Sequence, residues 1–255
     1  MGGEITWRCG GNGGYIFELV FYRDCNGAEV NVLSENLRVW NHPTLTNITV
    51  NFISRTDISP SCTQVSGGPQ PLDCGVGSNG GNGIGANERI LYRSNEIMMA
   101  GTPPTQGWIF TYENFARSNA ITNLTNPSTY GMTISATLFA IGGQTGCQDN
   151  SPQFLQSPYF VSCVGDPFVY NMNAIDPDMD SLRFEFSAPL NHFPQGSFNP
   201  PVNPAPVPFD LGFTYQSPTP SAAISPGSIP AQLNPQNGEL TFTSTLQGNF
   251  VVKVK

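Results

Sequence analysis

The chain opens on an alternation of apolar and polar residues that strands require, where successive side chains face opposite sides. GGEITWRC (2–9) and YIFELVFYRD (15–24) flank a glycine-rich turn, with Ile5 and Trp7 on one face and Phe17, Leu19 and Phe21 on one face of the next strand. NVLSENLRVW, LTNITVNFISRTDIS, ERILYRSNEIMMAG, GWIFTYENF and TYGMTISATLFAIGG continue the same rhythm. In the last of these, Met132, Ile134, Ala136 and Phe139 cannot all share one face, which predicts a bulge or burial on both sides. Later candidates are PYFVSC, PFVYNMN, SLRFEFSA, LGFTY, ELTFTST and GNFVVKVK, with a tight turn at 235–239. Ten prolines from Pro194 to Pro230 predict a stiff, extended excursion carrying a single strand at 212–215. No long helical period occurs anywhere.

The pattern predicts an all-β fold of two tandem β-sandwich domains, immunoglobulin-like in build, with long Gly- and Pro-rich loops. Residues 1–147 form the first, disulfide-containing domain and residues 148–255 the second. The chain stops within the alternating run Phe250–Lys255, so the second domain reads as interrupted.

Composition narrows the function. Charged residues are only 11% of 255, against the usual quarter, and the two lysines are Lys253 and Lys255. A net charge of −8 disfavours nucleic acid and anionic membrane as partners. No apolar run approaches the ~18 residues a membrane helix needs. The strand pattern begins at once, so an export signal is expected to have been removed. The glycines of residues 59–87 are followed by neither GK[ST] nor a helix, so they predict a loop rather than a phosphate cradle. Two histidines and the absence of a GxSxG elbow argue against a hydrolase, and the chain is expected not to be an enzyme.

The six cysteines, at 9, 25, 62, 74, 147 and 163, include no CxxC and predict disulfides in an oxidising compartment. Fifteen pairings are open. Proximity favours Cys62–Cys74 and Cys147–Cys163, leaving Cys9–Cys25, which a simple hairpin at 10–14 would hold apart.

Asp176, Asp178 and Asp180 alternate along an expected strand end, so their carboxylates share one face, about 25 residues after Asp149 and Asn150. Such a set predicts either a Ca²⁺ site, since hard cations take oxygen ligands, or a solvated acidic turn. Trp7, Trp40 and Trp108 are the candidates for a sugar-stacking face. Asn47 and Asn123 head N-glycosylation sequons, and Asp180-Ser181-Leu182 resembles an O-glycosylation motif used in Bacteroidetes.

Several longer stretches carry a resemblance. GGEITWRCGGNGGYIFELVFYRDCNG, RSNAITNL, NSPQFLQSPYFVSCVGDPFVYN, AIDPDMDSL and NPQNGELTFTSTLQGNFVVKVK are similar to very large surface proteins of the Bacteroidetes. Those proteins end in a gliding-motility-type sorting domain and leave the cell by the type IX secretion system. The second domain also resembles cadherin-like modules of the dystroglycan type. DNSPQF (149–154) matches the linker pattern DNxPxF, AIDPD (174–178) matches AxDxD, and NGEL (237–240) matches the module's turn.

The cadherin resemblance implies Ca²⁺ bound between modules through Asp149, Asn150, Asp176 and Asp178. Met179 stands where DPDGD has glycine, and the first domain lacks the acidic LDRE motif, leaving Glu88 or Glu113 to stand in. The expected role is a structural or adhesive module of a cell-surface protein, its partners being other domains of one long chain and a surface or glycan receptor. The alternatives are a carbohydrate-binding module or a subunit of an extracellular filament.

Overall fold

The computed structural model describes residues 2–27, 29–60, 72–75, 81–83, 85–115, 117–142 and 146–255. It is all-β apart from one 3-10 turn at Pro127–Thr129. The chain divides into two compact units: residues 1–112 with 134–151, and residues 113–133 with 152–255. The second passage between units lies near the expected boundary at 147. The segment 113–133, expected in the first domain, belongs instead to the second unit.

The first unit is built on one antiparallel sheet. Its strands are β1 (Gly2–Cys9), β2 (Tyr15–Asp24), β3 (Ser34–Trp40), β4 (Asn47–Asp57), β5 (Asn87–Arg93), β6 (Trp108–Asn114) and β7 (Met132–Leu138), in the order β1-β2-β5-β4-β3-β6-β7. Lettered A to G, this is A-B-E-D followed by C-F-G, the two sheets of a constant-type immunoglobulin sandwich joined along one seam. The seam is β4. Its start pairs with β3 (Ser34↔Asn51 to Arg38↔Asn47) and its end with β5 (Asn51↔Arg93 to Asp57↔Glu88), with a bulge between Phe52 and Ser54. A bulge bends a strand and increases its twist, which lets one strand serve both halves.

Ring contacts show that the sheet folds over. Phe17 of β2 lies 4.6 Å from Phe110 of β6, and Trp7 of β1 lies 5.8 Å from Phe110, although three strands separate β2 from β6 in the sheet. Phe21 meets Tyr112 edge-on at 5.9 Å. Phe17, Leu19, Phe21 and Phe110 are all fully buried, and burying each such side chain contributes about 1.5–3 kcal/mol. The predicted alternation of Trp7 with Phe17, Leu19 and Phe21 is therefore the core face. A Cβ on Gly3 would lie 2.5 Å from Ile134 Cδ1 of β7 and 2.4 Å from the Val20 carbonyl, so only glycine fits where the two ends of the sheet approach. β7 ends at Leu138, before the exposed Phe139, so the predicted conflict of faces is resolved by strand termination rather than by a bulge.

The cysteines pair differently from expectation. Cys9 is bonded to Cys147 and Cys25 to Cys74. The hairpin register sets Cys9 against Tyr15, and Cys25 follows the far end of β2, so Cys9–Cys25 is geometrically excluded. Cys147 is taken by Cys9, which leaves Cys163 exposed and without a partner among the described residues. Cys74 is taken by Cys25, which removes Cys62–Cys74; Cys62 itself lies outside the described residues. Closing spans of 138 and 49 residues contributes about 5 and 4 kcal/mol on the chain-entropy account.

The second unit holds a three-stranded sheet, β11 (Ile229–Leu233), β12 (Glu239–Thr243) and β9 (Pro167–Asn171) in the order β11-β12-β9, and a two-stranded one of β8 (Gln153–Phe154) and β10 (Ala174–Ile175). β9 and β12 lie where the alternation placed them. β11, which the pattern did not predict, begins in the last two residues of the proline excursion and runs past it, and the strand expected at 212–215 is a turn. PYFVSC and SLRFEFSA form no ladder, although Glu185 and Lys255 exchange two backbone hydrogen bonds of 2.9 and 3.0 Å across an isolated bridge region. Gly238, with φ +71°, turns β11 into β12; a Cβ there would lie 2.9 Å from the Phe184 ring.

Side chains replace ladders in the loops of this unit. Asn123, fully buried, donates to the Pro218 and Val251 carbonyls at 2.7 and 2.9 Å and accepts from the Val251 amide at 2.9 Å. Buried Arg117 donates to the carbonyls of Gly131 at 2.9 Å and Leu190 at 3.1 Å.

Candidate functional site

The predicted site residues fall in two places. Asp149 and Asn150 sit on a short strap, Cys147–Ser151, in the first unit. Asp176, Asp178 and Asp180 share one turn in the second unit.

The strap is bound to the outer edge of β1. The Trp7 amide donates to Ser151 Oγ at 2.8 Å and the Ser151 amide returns a bond to the Trp7 carbonyl at 3.0 Å. Trp7 Nε1 donates to the Asp149 carbonyl at 3.0 Å, and the Cys9 amide donates to Asn150 Oδ1 at 2.9 Å. The disulfide Cys9–Cys147 closes the end of the strap. Asn150 thus spends a side-chain lone pair on capping an edge strand, the place where unpaired donors invite wrong pairing. The nearby Asp149 charge adds to burial in raising the Tyr15 phenol above its ordinary value. Ser151 does not stand out as a site residue in the sequence. Its signal was its place within DNSPQF, where a hydroxyl can both donate and accept.

Asp176, Asp178 and Asp180 do not alternate on a strand, because β10 stops at Ile175. Asp176 organises a turn instead: its Oδ1 accepts from the Asp178 amide at 2.8 Å and the Asp180 amide at 3.3 Å, and its carbonyl accepts from the Met179 amide at 3.1 Å. Met179 occupies the left-handed region at φ +66°, so the chain keeps the conformation that glycine would adopt in DPDGD. This costs about 1–2 kcal/mol for a residue bearing a Cβ, and the Met179 side chain is 91% exposed. One Asp176 oxygen is committed to the backbone, so a ligand at this turn would meet its Oδ2 on the same turn as Asp178 and Asp180. Among the described residues no three Asp, Glu, His or Cys side chains converge as a metal cluster. A Ca²⁺ held at this turn would therefore draw on main-chain oxygens and water as well, both ordinary calcium ligands.

The two acids considered as stand-ins for LDRE are otherwise engaged. Glu88 is buried and paired with Arg23 at 2.6 Å. Glu113 Oε2 accepts from the Phe193 amide at 2.8 Å within the second unit.

Trp7 and Trp108 are core residues, 5% and 1% exposed, and so form no sugar platform. Trp40 is half-buried, donates to Thr111 Oγ1 at 2.9 Å, and carries the Arg38 guanidinium 4.4 Å above its ring. Of the two sequons, Asn47 is exposed, whereas Asn123 is buried with its amide fully engaged and cannot bear a glycan in the folded protein. Ser181 is exposed beside the acidic turn.

Among the described residues no helix is long and apolar enough to cross a membrane. No protein-family model, curated protein or solved structure matches the chain.

Proposed function

We propose that the chain is a non-enzymatic structural or adhesive module of an extracellular, cell-surface protein, with Ca²⁺ stiffening it at the Asp176–Asp180 turn. The observation that carries this reading is the immunoglobulin-order sandwich of the first unit stapled by Cys9–Cys147 and Cys25–Cys74. Disulfides of this kind persist in oxidising compartments, and a sandwich whose edge strand is capped and covalently pinned suits a unit strung with others in one chain. Partners would be neighbouring domains of the same protein and a surface or glycan receptor. Low charge and the buried position of Trp7 and Trp108 favour this over the sugar-binding alternative.

Labelling of intact cells with an antibody against the chain tests the location; signal only after permeabilisation would sink the surface reading. Melting in 10 mM Ca²⁺ and in EGTA tests the ion. Extracellular calcium modules have dissociation constants of about 10⁻⁴–10⁻³ M, so the expected stabilisation is about 1.4–2.7 kcal/mol, lost in Asp176→Asn. Superimposable melting curves would remove calcium from the proposal.

A further inference from the structure

We propose that Cys9–Cys147 is a mechanical bypass: when the chain is pulled from its two ends, the covalent path of the tension crosses this disulfide and leaves out strands β2 to β7, the enclosed segment 113–133 staying coupled to the pulled chain only until the second unit yields. The inference deepens the reading as a surface module under load and rests on it. Its basis is topological. Cys9 is the last residue of β1 and Cys147 the first of the strap, at a sequence separation of 138. The covalent path from Gly2 to Ser151 runs seven links along β1, across the sulfurs, and four links along the strap. Strands β2 to β7 hang off that path as a side loop.

The geometry also sets what yields first. β1 runs against the strap, Trp7 facing Ser151 and Cys9 facing Asn150, so tension separates them from the Ser151 end one bond at a time. On its other edge β1 pairs antiparallel with β2 from Gly2↔Tyr22 to Cys9↔Tyr15, and it peels from the Gly2 end in the same manner. Peeling must draw Trp7 out of its contacts with Phe17 and Phe110, 6.2 and 5.8 Å away. It then stops at Cys9. At about 3.6 Å per link the path extends to about 45 Å, a gain of about 30 Å over its folded span, against about 540 Å for the unlinked chain. The first unit becomes a short elastic element with a covalent stop, and its core stays assembled under loads that would otherwise unravel it.

Cys25–Cys74 plays no part in this path. It closes 49 residues inside the bypassed loop, and both of its cysteines are buried.

The test is single-molecule extension of the full chain held at both ends, in a Cys163→Ser background so that the exposed thiol cannot exchange with the disulfides. The oxidised chain is expected to fall about 500 Å short of its full contour length. Reductant added under load first opens the half-exposed Cys9–Cys147 bond and releases about 320 Å, the 138-residue span less the 49 still closed by Cys25–Cys74. About 180 Å follows when the second bond is cut. The Cys9→Ser/Cys147→Ser variant is expected to lack the 320 Å shortfall from the outset. Should that variant not fold, addition of reductant to the natively oxidised chain still decides the matter. An oxidised chain that extends to full contour length, or one that gains no length on reduction, overturns the bypass. Either outcome leaves the calcium melts and the surface labelling as separate tests of the underlying function.

Discussion

Replacing Asn123 by alanine probes how the irregular second unit holds together. The side chain makes three hydrogen bonds at 2.7–2.9 Å and ties residues 121–125 to Pro218 and to Val251. Removing it strands the Pro218 carbonyl in a buried setting and the Val251 amide in a partly buried one. Each hydrogen bond contributes about 0.5–1.5 kcal/mol net, and each buried orphan costs about 1–3 kcal/mol, so the expected loss is about 3–5 kcal/mol. That is a large part of the stability of an ordinary domain, which is about 5–15 kcal/mol. All three tryptophans lie in the first unit, so their fluorescence serves as an internal control while far-UV circular dichroism in urea follows the whole chain. With a urea slope of about 2 kcal/mol/M, the midpoint of the second unit should fall by about 2 M.

Asn123→Asp refines this test. One oxygen still accepts from Val251, but the other confronts two carbonyls, so only the protonated acid can satisfy one of them. The folded-state pKa is thereby raised, and a raised carboxylate gives stability that is present below its unfolded value and lost as pH climbs. The aspartate variant should approach the native protein near pH 3–4 and fall away by pH 7. A loss below about 1 kcal/mol for alanine, or an aspartate deficit that is flat with pH, would refute the reasoning.

Lys253→Met should stabilise the second unit near pH 7 by about 2 kcal/mol. Burial first, then the charges of Arg117 and Lys255, hold the Lys253 amine down to about 8. A depressed amine makes the folded state bind fewer protons between about pH 8 and 10.5, so native stability rises with pH across that window while the variant stays level. Parallel urea midpoints from pH 7 to 10.5 would contradict this. Met179→Gly should stabilise by about 0.5 kcal/mol, the relief of a left-handed residue less the added entropy of the unfolded chain, with Met179→Ala unchanged. A thermal melt in which the glycine variant is the less stable would show that the positive φ carries no cost.

The two units differ in how much of them the sequence revealed. In the first, period-2 alternation marked the core because one face of the sheet is buried, and Trp7, Phe17, Leu19 and Phe21 are the residues it picked out. Strand order did not follow from alternation, because β4 serves both halves and only its bulge at Phe52–Ser54 lets it do so. In the second unit, β11 went unseen because Pro230 interrupts it, while PYFVSC and SLRFEFSA alternate without joining a ladder. Backbone donors there are satisfied by Asn123, Thr219 and Ser228 instead, a role that composition does not announce. The acidic triplet was legible as residues but not as geometry, since its spacing of two reflects an Asp-capped turn rather than a strand face.

The cysteines show why sequence distance misleads in such a fold. Proximity along the chain favoured short loops, but an antiparallel hairpin carries Cys25 to the opposite end of the sheet from Cys9. Cysteines that follow the ends of strands can meet only partners that the topology returns to the same end. For Cys9 that partner arrives after β7, as the chain comes back along β1; for Cys25 it comes from the connection between β4 and β5, beside Ala86. The Greek-key order thus determines the pairing, and the pairing determines which residues lie in the path of an applied force. A chain with the expected bonds, Cys9–Cys25 and Cys147–Cys163, would leave β3 to β7 between the two pulling points, outside both of those loops. The observed Cys9–Cys147 bond removes them from that path, so mechanical resistance in this unit follows from where its first strand ends and where its last segment returns.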